Sequence, residues 1–273
     1  MSGKNELEYF ANKYSVTTRT LHNWFKDFWA EEIQPKNLSI SNQIIIIDGF
    51  ILEERTVLLL AKTKTKVVGW KFVKRETYLN WKAFFSQLKG HPDAIVCDGQ
   101  KGMLKAIKEV FPRVIIQRCQ FHILQRSRIL LTRNPETIAA IELKKIVEVI
   151  PKIQTRKQLK IFLENYLNWR SQYDEYLKEK TYYEFDTEYI YKNFTKGKRK
   201  WFYTHKRLRG AVYQIKTALP NLFCYLNNKN IPNTTNHVEG GINSHLKLLL
   251  RLHRGLAIEK RKYLVANFLS RKQ

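Results

Sequence analysis

Three carboxylates stand out by where they fall. Asp48 closes an apolar run in NQIIIIDGF, Asp98 closes another in DAIVCDG, and each is followed directly by glycine. Glu239 lies far downstream in NHVEGGINSHLK. From Tyr189 to the C-terminus it shares the chain with one other acid, Glu259, and eighteen Lys and Arg. An acid kept in so basic a stretch is either a surface glutamate without a role or part of a site built with acids from elsewhere. An Asp after an apolar strand is, by itself, a common turn residue or helix cap. Taken together, the three suit a hard-oxygen site for Mg²⁺ or Mn²⁺. Two such ions roughly 3.5–4 Å apart activate an attacking water or hydroxyl and stabilise the leaving oxygen of an in-line displacement at phosphorus. Acids serve here better than histidines because the ions must keep waters and accept phosphate oxygens.

The elements around these acids can be read from pattern. The four isoleucines before Asp48 predict a strand covered on both faces. RTVLLLAKT and KVVGWKFVK predict two more strands joined by the Lys-Thr-Lys-Thr-Lys connection. A helix follows over Thr77 to Leu88, its apolar stripe drawn from Leu79, Trp81 to Phe84 and Leu88. Then come a buried strand over 93–99, a helix in KGMLKAIKEVF and a short strand in RVIIQ. Strands one and four, side by side in one sheet, would bring Asp48 and Asp98 out at one edge as strand-end residues, with the glycines giving room for a turn and a ligand. An initial meander followed by alternating helices and strands predicts an α/β fold, a mixed sheet with helices packed on it.

Before the first strand, residues 6–28 predict two helices. The first, about Leu7 to Lys13, would bury Leu7 and Phe10. The second, capped by Thr17, would carry Leu21, Trp24 and Phe25 as its apolar stripe. That outline is helix-turn-helix-like, with Thr18, Arg19, His22 and Asn23 facing outward. After the last strand, His122 to about Leu219 reads as helical, with amphipathic segments at 138–149 and 159–176. Residues 192–209 interleave cations with aromatics. Lys198, Arg199, Lys200, Lys206 and Arg207 suit phosphate contacts, while Trp201, Phe202 and Tyr203 suit either base stacking or a helical core. A final helix is expected from Thr235 or Asn236 through Leu250, bearing Lys247 near Glu239 and followed by Arg251, Arg254 and a basic tail.

The 273 residues carry a formal charge of +25. A field of that size attracts polyanions, and nucleic acid, DNA or RNA, is the first expected partner, with an anionic membrane surface as the rival. The sequence shows no membrane-spanning run and no signal peptide. Its three cysteines do not suggest a disulfide framework, which fits a reducing cytoplasm; a cytoplasmic, nucleoid-associated protein with no membrane partner is the expectation.

The combination IIIIDGF, IVCDGQKGMLKAI, QRCQFH and TNHVEGGINSHLKLLLRLHRGL resembles the DDE transposases of bacterial insertion sequences related to the Mutator elements, over about residues 40–256. The resemblance implies a ribonuclease H-like core with an all-α insertion before the last catalytic helix. It also implies metal-dependent cleavage at transposon ends followed by strand transfer. Asp48, Asp98 and Glu239 would be both the catalytic residues and the ligands of Mg²⁺ or Mn²⁺, with two ions. Cys119 and His122 match a Cys-x-x-His element of the family. Zinc would need two more ligands, and no further Cys or His pair has suitable spacing, so an active-site neighbourhood role or plain packing is the main expectation and zinc a minor one; His237 and Asn236 are further neighbour candidates. The expected partners are transposon-end and target DNA, with a homodimer or higher oligomer assembled on it. The expected organisation is a partial helix-turn-helix-like segment at 1–38, shorter than the region usual in the family. The core's first part follows at 39–121, the helical insertion at 122–230, and the core completion with its basic tail at 231–273. Another ribonuclease H-like nuclease, or a domesticated, non-catalytic DNA-binding regulator, is the rival expectation.

Overall fold

The computed structural model describes residues 7–36, 38–53, 55–182, 201–235 and 237–273. Within these, the side chains of residues 27, 28, 30 and 237–239 are not described. The chain divides into two compact units, residues 1–116 with 235–273, and residues 117–234.

The first unit is organised around strand β1, Ile44–Glu53. It is flanked by β2, Thr56–Lys62, and β4, Ala94–Cys97; β3, Val67–Val73, lies outside β2. With β5, Ile115–Arg118, the sheet order is β3-β2-β1-β4-β5. β1 and β2, and β2 and β3, are antiparallel, whereas β1 and β4 run parallel. The sheet is therefore mixed, and β1, β3 and β4 all point their C-terminal ends to one edge.

The isoleucine run behaves as its composition demands. Ile45 and Ile47 join Leu59, Ala61 and Val68 in a core closed by Trp81, Phe84 and Phe85 of α3 (Tyr78–Phe85) and by Met103, Ala106 and Ile107 of α4 (Lys101–Val110). Trp81 stacks on Phe85 with ring centroids 5.5 Å apart. Ile46, Leu58 and Leu60 alternate to the opposite face and are equally buried. A strand apolar on both faces is stable only where both faces are covered. Thr77 caps α3, its hydroxyl accepting from the amide of Asn80 at 3.2 Å. Leu79, expected in the buried stripe of this helix, is 69% exposed.

Two helices precede the sheet, α1 at Leu7–Lys13 and α2 at Thr18–Ala30, the latter capped by Thr17 as its sequence predicts. The burial differs from expectation. Leu21 is buried, but Trp24 and Phe25 are 57% and 43% exposed. In α1 the buried residue is Ala11, while Leu7 and Phe10 are only half-buried. At the other end of the unit, residues 237–243 form a π-helical turn that passes into a helix at Ser244–Leu252, here α9. The region expected to be a basic tail is instead helix α10, Ile258–Ser270. It buries Tyr263, Val265, Ala266 and Leu269, and the carbonyl of Lys272 beyond it accepts from the amide of Val67 at 2.8 Å.

The second unit is mainly helical. It contains α5 (Gln120–Leu131), α6 (Ile138–Glu148), α7 (Arg156–Gln172) and α8 (Lys206–Ala218). Thr155 and Gln158 form a capping box at the start of α7. A small antiparallel hairpin pairs β6, Lys180–Tyr182, with β7, Trp201–Tyr203, an element the aromatic content did not suggest.

Candidate active site

The parallel ladder of β1 and β4 pairs Ile44 with Ala94, Ile45 with Ile95 and Ile46 with Val96. The same register carries Asp98 level with Asp48. Their settings differ. Asp48 does not end its strand; β1 continues through Gly49 to Glu53, held by β2. Asp98 lies just past the end of β4, where Gly99 adopts φ +83° and turns the chain towards α4. A non-glycine residue is disfavoured at that φ. One Asp98 oxygen accepts from the amide of Gln100 at 2.9 Å, fixing the turn.

Gly49 serves a different purpose from the one its sequence suggests. Side chains alternate along a strand, so position 49 faces the α3 side with Ile45 and Ile47. The space a side chain would take there is filled by Glu76, from the connection between β3 and α3. A Cβ on residue 49 would come within 2.8 Å of Glu76 Oε2 and closer still to Oε1. Burial, and then the charges of Asp98 and Asp48, push the Glu76 carboxyl up to about 7. Glu76 is thus the functional candidate that sequence reasoning missed. Its one sequence signal is weak: an acid just past a strand whose C-terminal end shares the edge with that of β4.

Asp48 is buried and faces the third segment. The side-chain amide of Asn243 donates to Asp48 Oδ2 at 2.7 Å, bridging residues 195 apart in sequence. Asn243 is 6% exposed, and its Oδ1 has no hydrogen-bond partner. It ends the π-helical turn that contains Glu239, about one turn earlier, since π bonding joins residue i to i+5. The backbone carrying Glu239 is therefore tied to the strand carrying Asp48. The Glu239 and His237 side chains, together with Asn236, lie outside what is described.

A carboxylate set with a buried amide oxygen beside it is the donor chemistry of a hard cation such as Mg²⁺ or Mn²⁺. Among the described residues no group of three His, Cys, Asp or Glu side chains is drawn together tightly enough to hold a metal ion. A groove of about 890 Å³ in the same unit is lined by Trp29, Trp70, Phe72 and Tyr263, away from these acids.

Cys119 and His122 belong to the second unit. Cys119 is fully buried at the N-cap of α5, and His122 is half-buried in its first turn. The block around them performs a packing task. Gln117 Nε2 donates to the carbonyl of Leu222 at 2.8 Å, and Gln117 Oε1 accepts from the amide of Tyr225 at 3.1 Å. Gln120 Nε2 donates to Tyr225 Oη at 3.1 Å. Both glutamines are fully buried, and pairing their amides is what makes that burial tolerable.

The cation candidates fall in varied places. Arg19 is exposed on α2 beside Thr18, His22 and Asn23; Lys247, Arg251 and Arg254 are exposed on and just after α9. Arg207 is exposed but engaged, its guanidinium donating to the carbonyls of Leu130 at 3.1 Å and Ile129 at 2.5 Å at the end of α5. Trp201, Phe202 and Tyr203 are half-buried on β7, and their rings carry Lys180, Lys206 and Arg209 at 4.3, 3.9 and 3.4 Å from the centroids. Lys198, Arg199 and Lys200 lie outside the described residues. Among the described residues no helix is long and apolar enough to cross a membrane.

Comparison with known proteins supplies the context. A protein from Burkholderia multivorans (strain ATCC 17616 / 249), the transposase for insertion sequence element IS406, is 34% identical over 86 residues. That match covers 29% of this chain and 22% of the relative, so the chain spans about a fifth of the relative's length. Residues 56–207, more than half of the chain, match the family described as Transposase, Mutator family. The matched region includes Glu76, Asp98, Cys119 and His122 and stops short of Asp48 and Glu239. On the extent of that match, the chain belongs to the Mutator family of transposases.

Proposed function

We propose that the protein is a DDE transposase with a ribonuclease H-like core, in which Asp48, Asp98 and Glu239 hold Mg²⁺ or Mn²⁺, two ions in all. The reaction is hydrolysis of a phosphodiester at an element's end, which frees a 3′-hydroxyl, followed by attack of that hydroxyl on a phosphodiester of other DNA. The ions supply charge neutralisation and activation of the attacking oxygen. The chain's own residues orient the acids. Asn243 holds Oδ2 of Asp48, while the Gln100 amide and the Gly99 turn fix Asp98. Exposed Arg19, Lys247, Arg251 and Arg254, with Lys206 and Lys198–Lys200, neutralise phosphates. The α1–α2 pair is the helix-turn-helix-like piece that contacts transposon ends. The second unit is the insertion of the family's core, and the assembly on DNA is a dimer or larger.

The observation that carries this reading is the Asn243–Asp48 hydrogen bond, because it ties the Glu239 turn to the strand bearing the first acid. The test is cleavage and strand transfer on oligonucleotides carrying candidate terminal repeats, in Mg²⁺, with Asp98→Asn as the control. Removal of one ligand should abolish both steps. Cleavage by Asp98→Asn at the wild-type rate would defeat the metal-site assignment.

A further inference from the structure

We propose that the groove beside strand β3 is a self-association surface that takes an extended, Lys- or Arg-bearing segment of a second copy of this chain. The groove stands apart from the carboxylate site, needs no metal and would supply one contact of the assembly proposed above.

Four observations support it. First, β3 is an edge strand of the five-stranded sheet and pairs with β2 alone. In an antiparallel ladder alternate residues turn their backbone groups away from the partner strand. On the outer side of β3 the Val67 amide is taken by the carbonyl of Lys272. From Gly69 to Val73 no outward backbone group has a backbone partner among the described residues. An open edge of that kind accepts an added strand, and Lys71 is the one charge on β3 that would oppose it. Second, the groove runs beside this edge, since Trp70, Lys71 and Phe72 line it together with residues 31–35 after α2 and with Tyr263 and Ala266 of α10. Its volume of about 890 Å³ falls within the roughly 300–1,000 Å³ that encloses a drug-sized ligand, so it has room for side chains of an incoming strand. Third, its aromatic lining suits cationic side chains. Trp29 and Tyr263 meet edge to face with centroids 5.3 Å apart, and the Trp29 ring already attracts the Lys260 ammonium, 5.5 Å from its centroid. Fourth, charge selects the occupant. Glu31, Glu32 and Glu259 line the groove against Lys71 and Lys262, and Lys262 is paired with Glu259 at 2.9 Å. Glu31 and Glu32 are exposed and have no ion-pair partner among the described residues. Copies of a chain carrying +25 repel one another over most of their surface. A groove with surplus acid is where a cationic segment of a second copy is attracted instead, and the same acids repel DNA phosphates.

The experiment is sedimentation velocity of the full chain without DNA, over a micromolar concentration series, for wild type and two double variants. Glu31→Lys with Glu32→Lys reverses the groove acids. Glu136→Lys with Glu164→Lys makes the same change in net charge on exposed residues of the second unit. Wild type is expected to self-associate, the groove variant to associate at least tenfold more weakly, and the second-unit variant to stay within a few-fold of wild type. Hydrogen exchange across residues 69–73 is expected to slow as wild type associates, which a contact on another face would not cause. Circular dichroism on each variant separates loss of association from misfolding. Wild type that stays monomeric throughout the series overturns the proposal. Association as tight as wild type in the groove variant, equal losses in both variants, or unchanged exchange at β3 overturns it as well. None of these results touches the catalytic reading, which stands or falls on cleavage by Asp98→Asn.

Discussion

Without a divalent ion, the acidic corner should make the protein less stable as pH rises, and Glu76 is where that shows. Its carboxyl titrates near 7 in the folded chain against an ordinary value of 4.5. A raised carboxyl means that the folded state holds a proton the unfolded state has already released. Between pH 4.5 and 7 the folded state therefore binds more protons, and stability falls with rising pH. This group's contribution is fully present below about pH 4.5 and gone above about pH 7. At roughly 1.4 kcal/mol per unit, the full shift would amount to about 3.4 kcal/mol. Glu76 keeps part of its surface in water, and solvent screening reduces this to about 1–2 kcal/mol. The assay is urea denaturation in excess chelator from pH 5.5 to 8.5, for wild type and Glu76→Gln. Histidines and other groups titrating in that range act alike in both proteins and cancel in the difference. Glu76→Gln should be more stable than wild type at both ends, by roughly two-fifths of the full difference at pH 5.5 and by the full difference of about 1–2 kcal/mol at pH 8.5. Parallel curves across the range would refute the reasoning, because they would mean that neither burial nor the charges of Asp98 and Asp48 raise the Glu76 carboxyl.

Further consequences can be measured directly. Asn243→Ala leaves the buried Asp48 carboxylate without its 2.7 Å donor and should lower stability by about 1–3 kcal/mol, read by the same denaturation at fixed pH. Gly99→Ala forces a side chain into φ +83° and should lose about 1–2 kcal/mol while moving Asp98, so that Mn²⁺ affinity falls as well. Gly240→Ala meets open space and sits in a helical segment, so it should be neutral or add about 0.5–1 kcal/mol; a clear loss would mean that a close contact there has been missed. Affinity for DNA should drop by about 10³-fold or more between about 50 and 200 mM salt if six or more phosphate contacts form, and a flat response would contradict the role given to the exposed cations.

How much of this was legible in the sequence depends on the kind of information each feature requires. The strands were legible because continuous β-branched runs have few alternative uses, and the register that sets Asp98 level with Asp48 follows once β1 and β4 lie in parallel. The exposure of Trp24 and Phe25 was not, because periodicity says which residues share a helix face and not whether anything covers it. Helix α10 was obscured by the cations in IEKRKYLVANFLS, which read as a solvated tail although its apolar residues bury one face. Glu76 was hidden for a different reason. In ETYLNW it sits just before a helix cap, where an acid is ordinary, and only the path of the chain after β3 brings it over Gly49.

The glycine after Asp48 illustrates the same limit. Two Asp-Gly pairs predict two turns, yet only Gly99 turns the chain; Gly49 continues a strand in ordinary backbone geometry. Its small size serves a neighbour that is remote in sequence, Glu76, and no local pattern carries that requirement. The segment around Glu239 extends the argument. An acid in so basic a stretch is unexplained by its own neighbours; the tie between its turn and β1 is made by Asn243, four residues on, whose side-chain amide donates to Asp48. The sequence shows which acids are unusual for their surroundings. The bond that reaches Asp48 runs between segments 195 residues apart, so it follows from the sheet order and the return of the chain to β1.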